Sequence, residues 1–171
     1  LEVSVTEKPL EDLLGLCLDR LLSISWLRLE AKGGIFLMDK VGRDLILTTG
    51  SNLSPEIRSL CARVALGQCH CGQAAATRVL QYSNCVDEHH TTTFPGMPDH
   101  GHYNVPLVSD QKMLGVLLLY LPIGFQREAQ NEQFVISVAD ILAGLIGRKQ
   151  VEEELIAHRR NLEQTVSNRT T

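Results

Sequence analysis

The stretch Met113 to Leu121 reads Met-Leu-Gly-Val-Leu-Leu-Leu-Tyr-Leu and contains no charged or amide side chain. An apolar run of this length, bounded by polar turn residues, reads as a central strand buried on both faces. The rest of the chain must therefore supply a sheet around it. Tyr103 to Val108 is a second strand, joined to the first by the polar turn Ser109-Asp110-Gln111-Lys112. Further upstream, Ile35 to Asp39 and Leu45 to Thr49 read as an antiparallel hairpin across the turn Lys40 to Arg43, after the break at Gly33-Gly34.

Three helical segments accompany these strands. Leu10, Leu13, Leu14, Cys17, Leu18, Leu21 and Leu22 recur at helical spacing, with Glu11 and Asp12 near the start, which predicts an amphipathic helix from about 9 to 24. Ser54 as cap and Pro55 at the first position start a short helix that is expected to end near Ala65 or Leu66. From Glu128 onward, Phe134, Val135, Val138, Ile141, Leu142, Leu145 and Ile146 form the core stripe of a long helix. Between these, Gln81 to Tyr103 is rich in turn formers and reads as a long loop, of the kind that is functional or mobile.

The 171 residues and 44% apolar content suit one domain plus an appendage. A net charge of −4, with no basic stretch interleaved with aromatics, argues against nucleic acid as a partner. No apolar run reaches the roughly 18 to 20 residues that span a bilayer, so no membrane contact is expected of this chain. Leu1-Glu2-Val3-Ser4 is neither a signal peptide nor an initiator methionine, and the chain reads as a soluble piece of something larger. Five cysteines are an odd number for a disulfide framework, which favours free thiols in a reducing cytoplasm.

Gly67-Gln68-Cys69-His70-Cys71-Gly72-Gln73-Ala74-Ala75 places two thiols and an imidazole in a glycine-bracketed turn that opens a small-residue helix, expected to end near Thr77 or Arg78. Near a helix N-terminus, unpaired N–H groups favour anions and lower thiol pKa. After Arg148 the apolar residues thin to Val151, Leu155, Leu162 and Val166 among charges, at spacings of four and seven. That is the narrow seam of a coiled coil, and it predicts a homodimer through the terminal helices.

The order of these elements, with Asn104-Val105-Pro106-Leu107 and Leu114-Gly115-Val116-Leu117-Leu118-Leu119-Tyr120 as a "VPL" and an "LGVL" strand, resembles a GAF domain over residues 8 to 150. The resemblance implies an α+β fold: a central antiparallel sheet with helices packed on it and a long C-terminal helix. It divides the chain into a GAF-like sensor domain over 1–150 and a linker over 151–171. The segment from His158 to Thr170 is similar to the signalling helix that joins sensor domains to histidine kinase or diguanylate cyclase outputs, so the resemblance implies such an output domain in cis. GAF domains bind cyclic nucleotides, tetrapyrroles, haem, small anions, metals or nothing, and the family alone names no ligand.

In that family the pocket is walled by the helix after the Gly-rich turn and by the loop before the "VPL" strand. Five of the six histidines (His70, His89, His90, His100, His102) and three of the five cysteines (Cys69, Cys71, Cys85) lie between residues 69 and 102, in those same walls. Three explanations compete for this cluster. Cys69, Cys71 and Cys85 with a loop histidine such as His89 supply a tetrahedral donor set for zinc or iron. Alternatively Cys69, Cys71 or Cys85 form a reversible disulfide, helped by the helix N-terminus and His70. The third reading makes Cys69 and Cys71 packing residues and His89, His90 and His100 ordinary polar residues of an exposed loop. Strand alternation puts His102 and Asn104 on one face and Tyr103 and Val105 on the other, so one pair should line the pocket, and both His102 and Tyr103 are candidates. Cys17, Cys61 and Trp26 are expected in packing roles.

No phosphate-binding loop, nucleophile elbow or H-E-x-x-H motif is present. The expected function is a non-catalytic sensor of a small ligand, metal or redox state. Its alternatives are a GAF-like free methionine sulfoxide reductase and a ligand-free GAF dimerisation module.

Overall fold

The computed structural model describes residues 8–170. The reading of Leu1 to Ser4 and the start of the domain at residue 1 lie outside the described residues. The chain forms α1 (Leu10–Leu22), a 3-10 turn (Ser25–Leu27), β1 (Gly33–Met38), β2 (Asp44–Ser51), α2 (Pro55–Leu60), β3 (Arg63–Ala65), α3 (Cys69–Thr77), β4 (Gln81–Ser83), β5 (Gly101–Ser109), β6 (Lys112–Leu121) and α4 (Ala129–Thr170). The strands make one antiparallel sheet in the order β3-β2-β1-β6-β5-β4. This is the expected α+β class, with helices on the sheet and a long helix at the C-terminal end.

Alternation along β6 creates two cores. Leu117, Leu119 and Leu121 point to one side, where they meet α1 through Leu14, Leu18 and Leu21 and α4 through Val135, Leu142 and Ile146. Val116, Leu118 and Tyr120 point to the other, where they meet Ile57 of α2, Val64 of β3 and Ala74 and Ala75 of α3. Every residue from Leu114 to Leu121 is buried, as a strand covered on both faces must be.

Local chemistry sets the element ends. Ser54 Oγ accepts the Ile57 N–H at 3.3 Å and Pro55 opens the first turn of α2. That helix stops at Leu60, however, and Arg63–Ala65 is a strand paired with β2, correcting the expected end near 65 or 66. The reason lies in the pattern exposed-buried-exposed at Arg63, Val64 and Ala65, together with the Arg63–Asp44 ion pair at 2.6 Å. Likewise Gln81–Ser83 is not loop but a strand paired with Asn104, Tyr103 and His102.

In α4 the buried face is Val135, Ala139, Leu142, Ala143 and Ile146. Ile141 is 71% exposed and does not belong to the core stripe assigned to it. It lies two residues past Ala139, about 200° round the helix at 100° per residue. Trp26 is half-exposed and packs edge-on against Phe134 with ring centroids 4.9 Å apart, bracing the α1 end against α4. Cys17 and Cys61 sit partly buried against the two cores, in the packing roles expected of them. Among the described residues no helix is long and apolar enough to cross a membrane.

Candidate functional site

The site is assembled by the first turn of α3, the loop that follows β4, and the α3-side face of β5 and β6. Two glycines bring α3 to the sheet. Gly67 has a φ of 82°, and a Cβ on Gly72 would lie 2.3 Å from the Ala65 carbonyl oxygen. Cys69 also adopts a left-handed conformation, with a φ of 53° that a side chain rarely takes.

That conformation aims the Cys69 sulfur at the loop. Cys69 Sγ accepts the backbone N–H groups of Thr91 and Thr92 at 3.1 and 3.2 Å, and the Thr91 hydroxyl lies 2.9 Å away. One residue on, His70 Nε2 meets Asp87 Oδ1 at 2.8 Å, with His70 buried. Burial alone would raise the Asp87 carboxyl, but the hydrogen bond and charge of His70, the His89 N–H and the Ser83 hydroxyl together hold it below the ordinary value. The two consecutive residues of α3 thus clamp the loop at 87 and at 91–92, which fixes the intervening His90 over the sheet.

Beneath His90 lie His100 and His102. The His90 and His102 rings stack at 5.0 Å, and those of His100 and His102 meet edge-on at 4.5 Å. His100 and His102 are only 4% and 3% exposed. His100 Nδ1 lies 2.7 Å from the Pro98 carbonyl oxygen, so it carries the proton and donates it there. One nitrogen of each ring (His90 Nδ1, His100 Nε2 and His102 Nδ1) is buried without a hydrogen-bond partner, as is Asn104 Nδ2. Leaving such a group unpaired ordinarily costs about 1–3 kcal/mol, so a concentration of them around the start of β5 asks for an explanation. Burial, followed by the neighbouring His100, His90, His70 and Lys32, holds His102 far below the usual imidazole range, and the same first two causes lower His90.

A cavity of about 30 Å³ opens between these groups, lined by Cys69, His70, His90, His102, Asn104 and Tyr120 among others. It holds about one water or one ion. The thiols flanking it differ: Cys71 donates to Asn104 Oδ1 at 2.9 Å, and burial, with Cys61 and Cys69 nearby, pushes it well above the usual thiol value. Cys61 is pushed up to about 11, mainly by burial.

Residues 7–148 match the GAF domain family. The chain belongs to the GAF domains. No curated protein matches it in sequence. Its fold is shared with the GAF domain of a phosphoenolpyruvate-protein phosphotransferase from Coxiella burnetii, at 19% identity and a TM-score of 0.73, covering 86% of this chain and 89% of that one. The free methionine-R-sulfoxide reductase of Neisseria meningitidis, in complex with its substrate, has 20% identity and a TM-score of 0.67 over 84% and 81% of the two chains. The second GAF domain of DevS from Mycobacterium smegmatis has 14% identity and a TM-score of 0.66 over 86% and 99%.

The GAF pocket of this chain gathers some of the residues named from sequence and not others. Cys69, His70, Cys71 and His102 line one cavity. Tyr103 does not reach it: strand alternation turns the ring to the opposite core, beside Phe125 and Tyr82, and Asn104 takes the pocket side with His102. Among the described residues, the group whose metal-binding atoms converge is His90, His100 and His102, not Cys69, Cys71, Cys85 and His89. Cys85 sits in the turn after β4, where its N–H meets Ser83 Oγ at 3.4 Å, and His89 is exposed. From sequence, His90 and His100 are given a role only in the third reading, as polar residues of an exposed loop. The signal passed over was His100-Gly101-His102, an i, i+2 pair entering a strand.

Proposed function

We propose that this GAF domain is a non-catalytic, cytoplasmic sensory module that responds to a small ligand, a metal or a redox change at the Cys/His pocket and relays it through α4 to an output domain in cis. The observation that carries the reading is that β5 has the pocket on one face and α4 on the other. His102 and Asn104 line the cavity, while Tyr103 and Val105 pack in the α1/α4 core and Tyr103 donates to Glu132 Oε1 of α4 at 3.4 Å. Any change in how the loop seats on β5 therefore alters the strand on which α4 rests. A coupling of about 1–3 kcal/mol between pocket and helix is enough to change an output several-fold.

The α4 tail is the proposed relay. Its residues Phe134, Ile141, Arg148, Leu155 and Leu162 recur every seven positions, with Phe134 half-buried at the domain end and Leu155 and Leu162 67% and 54% exposed. Such a seam suits a parallel partner helix in a second copy, in which small changes of packing become changes of register.

Fusion of the chain through α4 to a diguanylate cyclase tests the relay. Zinc, a chelator and hydrogen peroxide are the probes, with Cys69→Ala and His70→Gln as pocket variants. Activity is expected to shift severalfold with at least one probe and to lose that shift in a pocket variant. Output that stays within twofold under every probe and in both variants, with the fold intact by circular dichroism, leaves only a dimerisation role.

The fold shared with the Neisseria reductase supplies the second reading, and the size of the cavity supports the first over it. A space of about 30 Å³ admits a water, not an amino acid. Free methionine-R-sulfoxide is accordingly expected to show no turnover with a dithiol reductant; turnover abolished by Cys69→Ser would establish the enzyme instead.

A further inference from the structure

We propose that His90, His100 and His102 are the protein ligands of a divalent transition-metal centre, three imidazole nitrogens on one ion with a further position open toward the cavity under α3. The proposal deepens the sensor reading and rests on it for what the centre is for, while its chemistry stands on the three side chains alone.

Four observations converge on it. One candidate ligand atom from each histidine lies within 4.8 Å of the others. With metal–nitrogen bonds of about 2.0–2.1 Å, tetrahedral ligand nitrogens stand about 3.3 Å apart, so each pair needs to close by no more than about 1.5 Å. Each ring also has a buried nitrogen with no protein partner, an atom left available to an ion. His100 donates its Nδ1 proton to the Pro98 carbonyl, the outer contact that fixes a metal ligand's tautomer and leaves Nε2 for the ion. Finally, the cavity beside His90 and His102 is of single-ion size, and Asn104 Nδ2, itself without a partner, lines it as a donor for a water or small anion in the open position.

The ligand chemistry narrows the metal. Three neutral imidazoles, with no carboxylate or thiolate among them, suit zinc, iron, copper or nickel and not magnesium or calcium. The nearby acid and thiol are occupied: Asp87 is held by His70, and Cys69 by Thr91 and Thr92. Those contacts place His90 in mid-loop, whereas His100 is the last loop residue before β5 and His102 lies in β5 itself. An ion would therefore tie the middle of the loop to the start of β5, and its loss would release the segment around His90.

The test uses the 171-residue chain without a histidine tag, stripped with a chelator and titrated with cobalt(II), then with zinc(II). One equivalent of cobalt is expected, with the visible bands of a four- or five-coordinate site, no thiolate-to-cobalt charge-transfer band, and displacement by zinc. His90→Ala, His100→Ala and His102→Ala should each weaken zinc binding by about 100-fold or more, and His89→Ala and Cys85→Ser should not. Melting curves check the fold of each variant, and His100→Gln and His102→Gln replace any alanine variant that fails to fold. Absence of stoichiometric binding, or binding undiminished in the three histidine variants, overturns the centre. A thiolate band overturns it in favour of a cysteine set and leaves the sensor reading intact. A centre that binds as expected but leaves the cyclase fusion unresponsive to zinc and chelator supports the centre and counts against the sensor reading.

Discussion

Cys69 holds its left-handed backbone against the usual preference of a side chain because the loop returns two N–H groups to its sulfur. Its neighbours in the pocket are thiols of a different kind. Burial drives the pKa of Cys71 well up and of Cys61 to about 11, and it also raises Cys17. Since the thiolate is the reactive form, timed alkylation at pH 7.4 should label Cys61 and Cys71 at least about tenfold more slowly than Cys85. Cys71 labelling first would undo this account of the pocket and favour the helix N-terminus as what sets the thiols of the turn. The histidines give a pH dependence. His102 is faced by His90, His100, His70 and Lys32, and its folded-state pKa lies well below the ordinary value. In the metal-stripped chain the unfolded state takes up a proton at 102 as pH falls below about 6.5 and the folded state does not. Stability should therefore be flat above that pH and decline below it, by up to about 1.4 kcal/mol per pH unit from one such group. Urea melts between pH 7.5 and 5 should show the decline, and His102→Gln should reduce its slope; equal slopes in the two proteins would count against it. Of the site, the sequence disclosed the turn at 69–71 and the facing of His102 and Asn104, because both follow from local rules. It could not disclose His90, whose position depends on two contacts made seventeen and more residues away, at His70–Asp87 and Cys69–Thr91.

At the scale of elements, α3 is where local sequence and long-range packing meet. Gly72 is the contact point, and a methyl there would collide with the Ala65 carbonyl at the end of β3. Gly72→Ala should cost more than about 2 kcal/mol, because the obstacle is backbone and cannot swing aside. Thermal denaturation checks it, and a cost below about 0.5 kcal/mol would mean that α3 can slide. The same element shows why the fold was readable in its large parts. α1 and α4 carry a clear helical period, β6 an unbroken apolar run, β1, β2 and β5 several apolar residues between turns, and α2 announces itself by its cap. β3 and β4 have three residues each, too few for alternation to register, and they exist because longer strands offer them an edge. Ile141 was misplaced for a related reason: apolar residues lie on more than one side of α4, and only the packed sheet chooses which side is inward.

Across the whole molecule, α4 is about 63 Å long at 1.5 Å per residue, and its last twenty described residues, from Val151, are exposed. The seven-residue spacing from Phe134 through Ile141 to Leu162 means that the proposed dimer contact begins on the domain and continues down the tail. Sedimentation up to millimolar concentration should show a weak dimer, since Arg148 interrupts the apolar layers. Ile141→Asp and Leu155→Asp should each shift the protein to monomer by about tenfold or more in dissociation constant; a monomer in the parent chain at every concentration would remove the contact altogether. Trp26 gives this surface an optical reporter. It is the single tryptophan of the chain, half-exposed, and its ring rests on Phe134, the first residue of that spacing. A helix docking along the seam would dehydrate the indole and move its emission toward the blue, whereas events confined to the pocket, on the far face of the sheet, would leave its colour alone. The protein thus comes with its own intrinsic fluorophore at the exit of the proposed relay, and docking there can be followed separately from events in the pocket in an unlabelled sample.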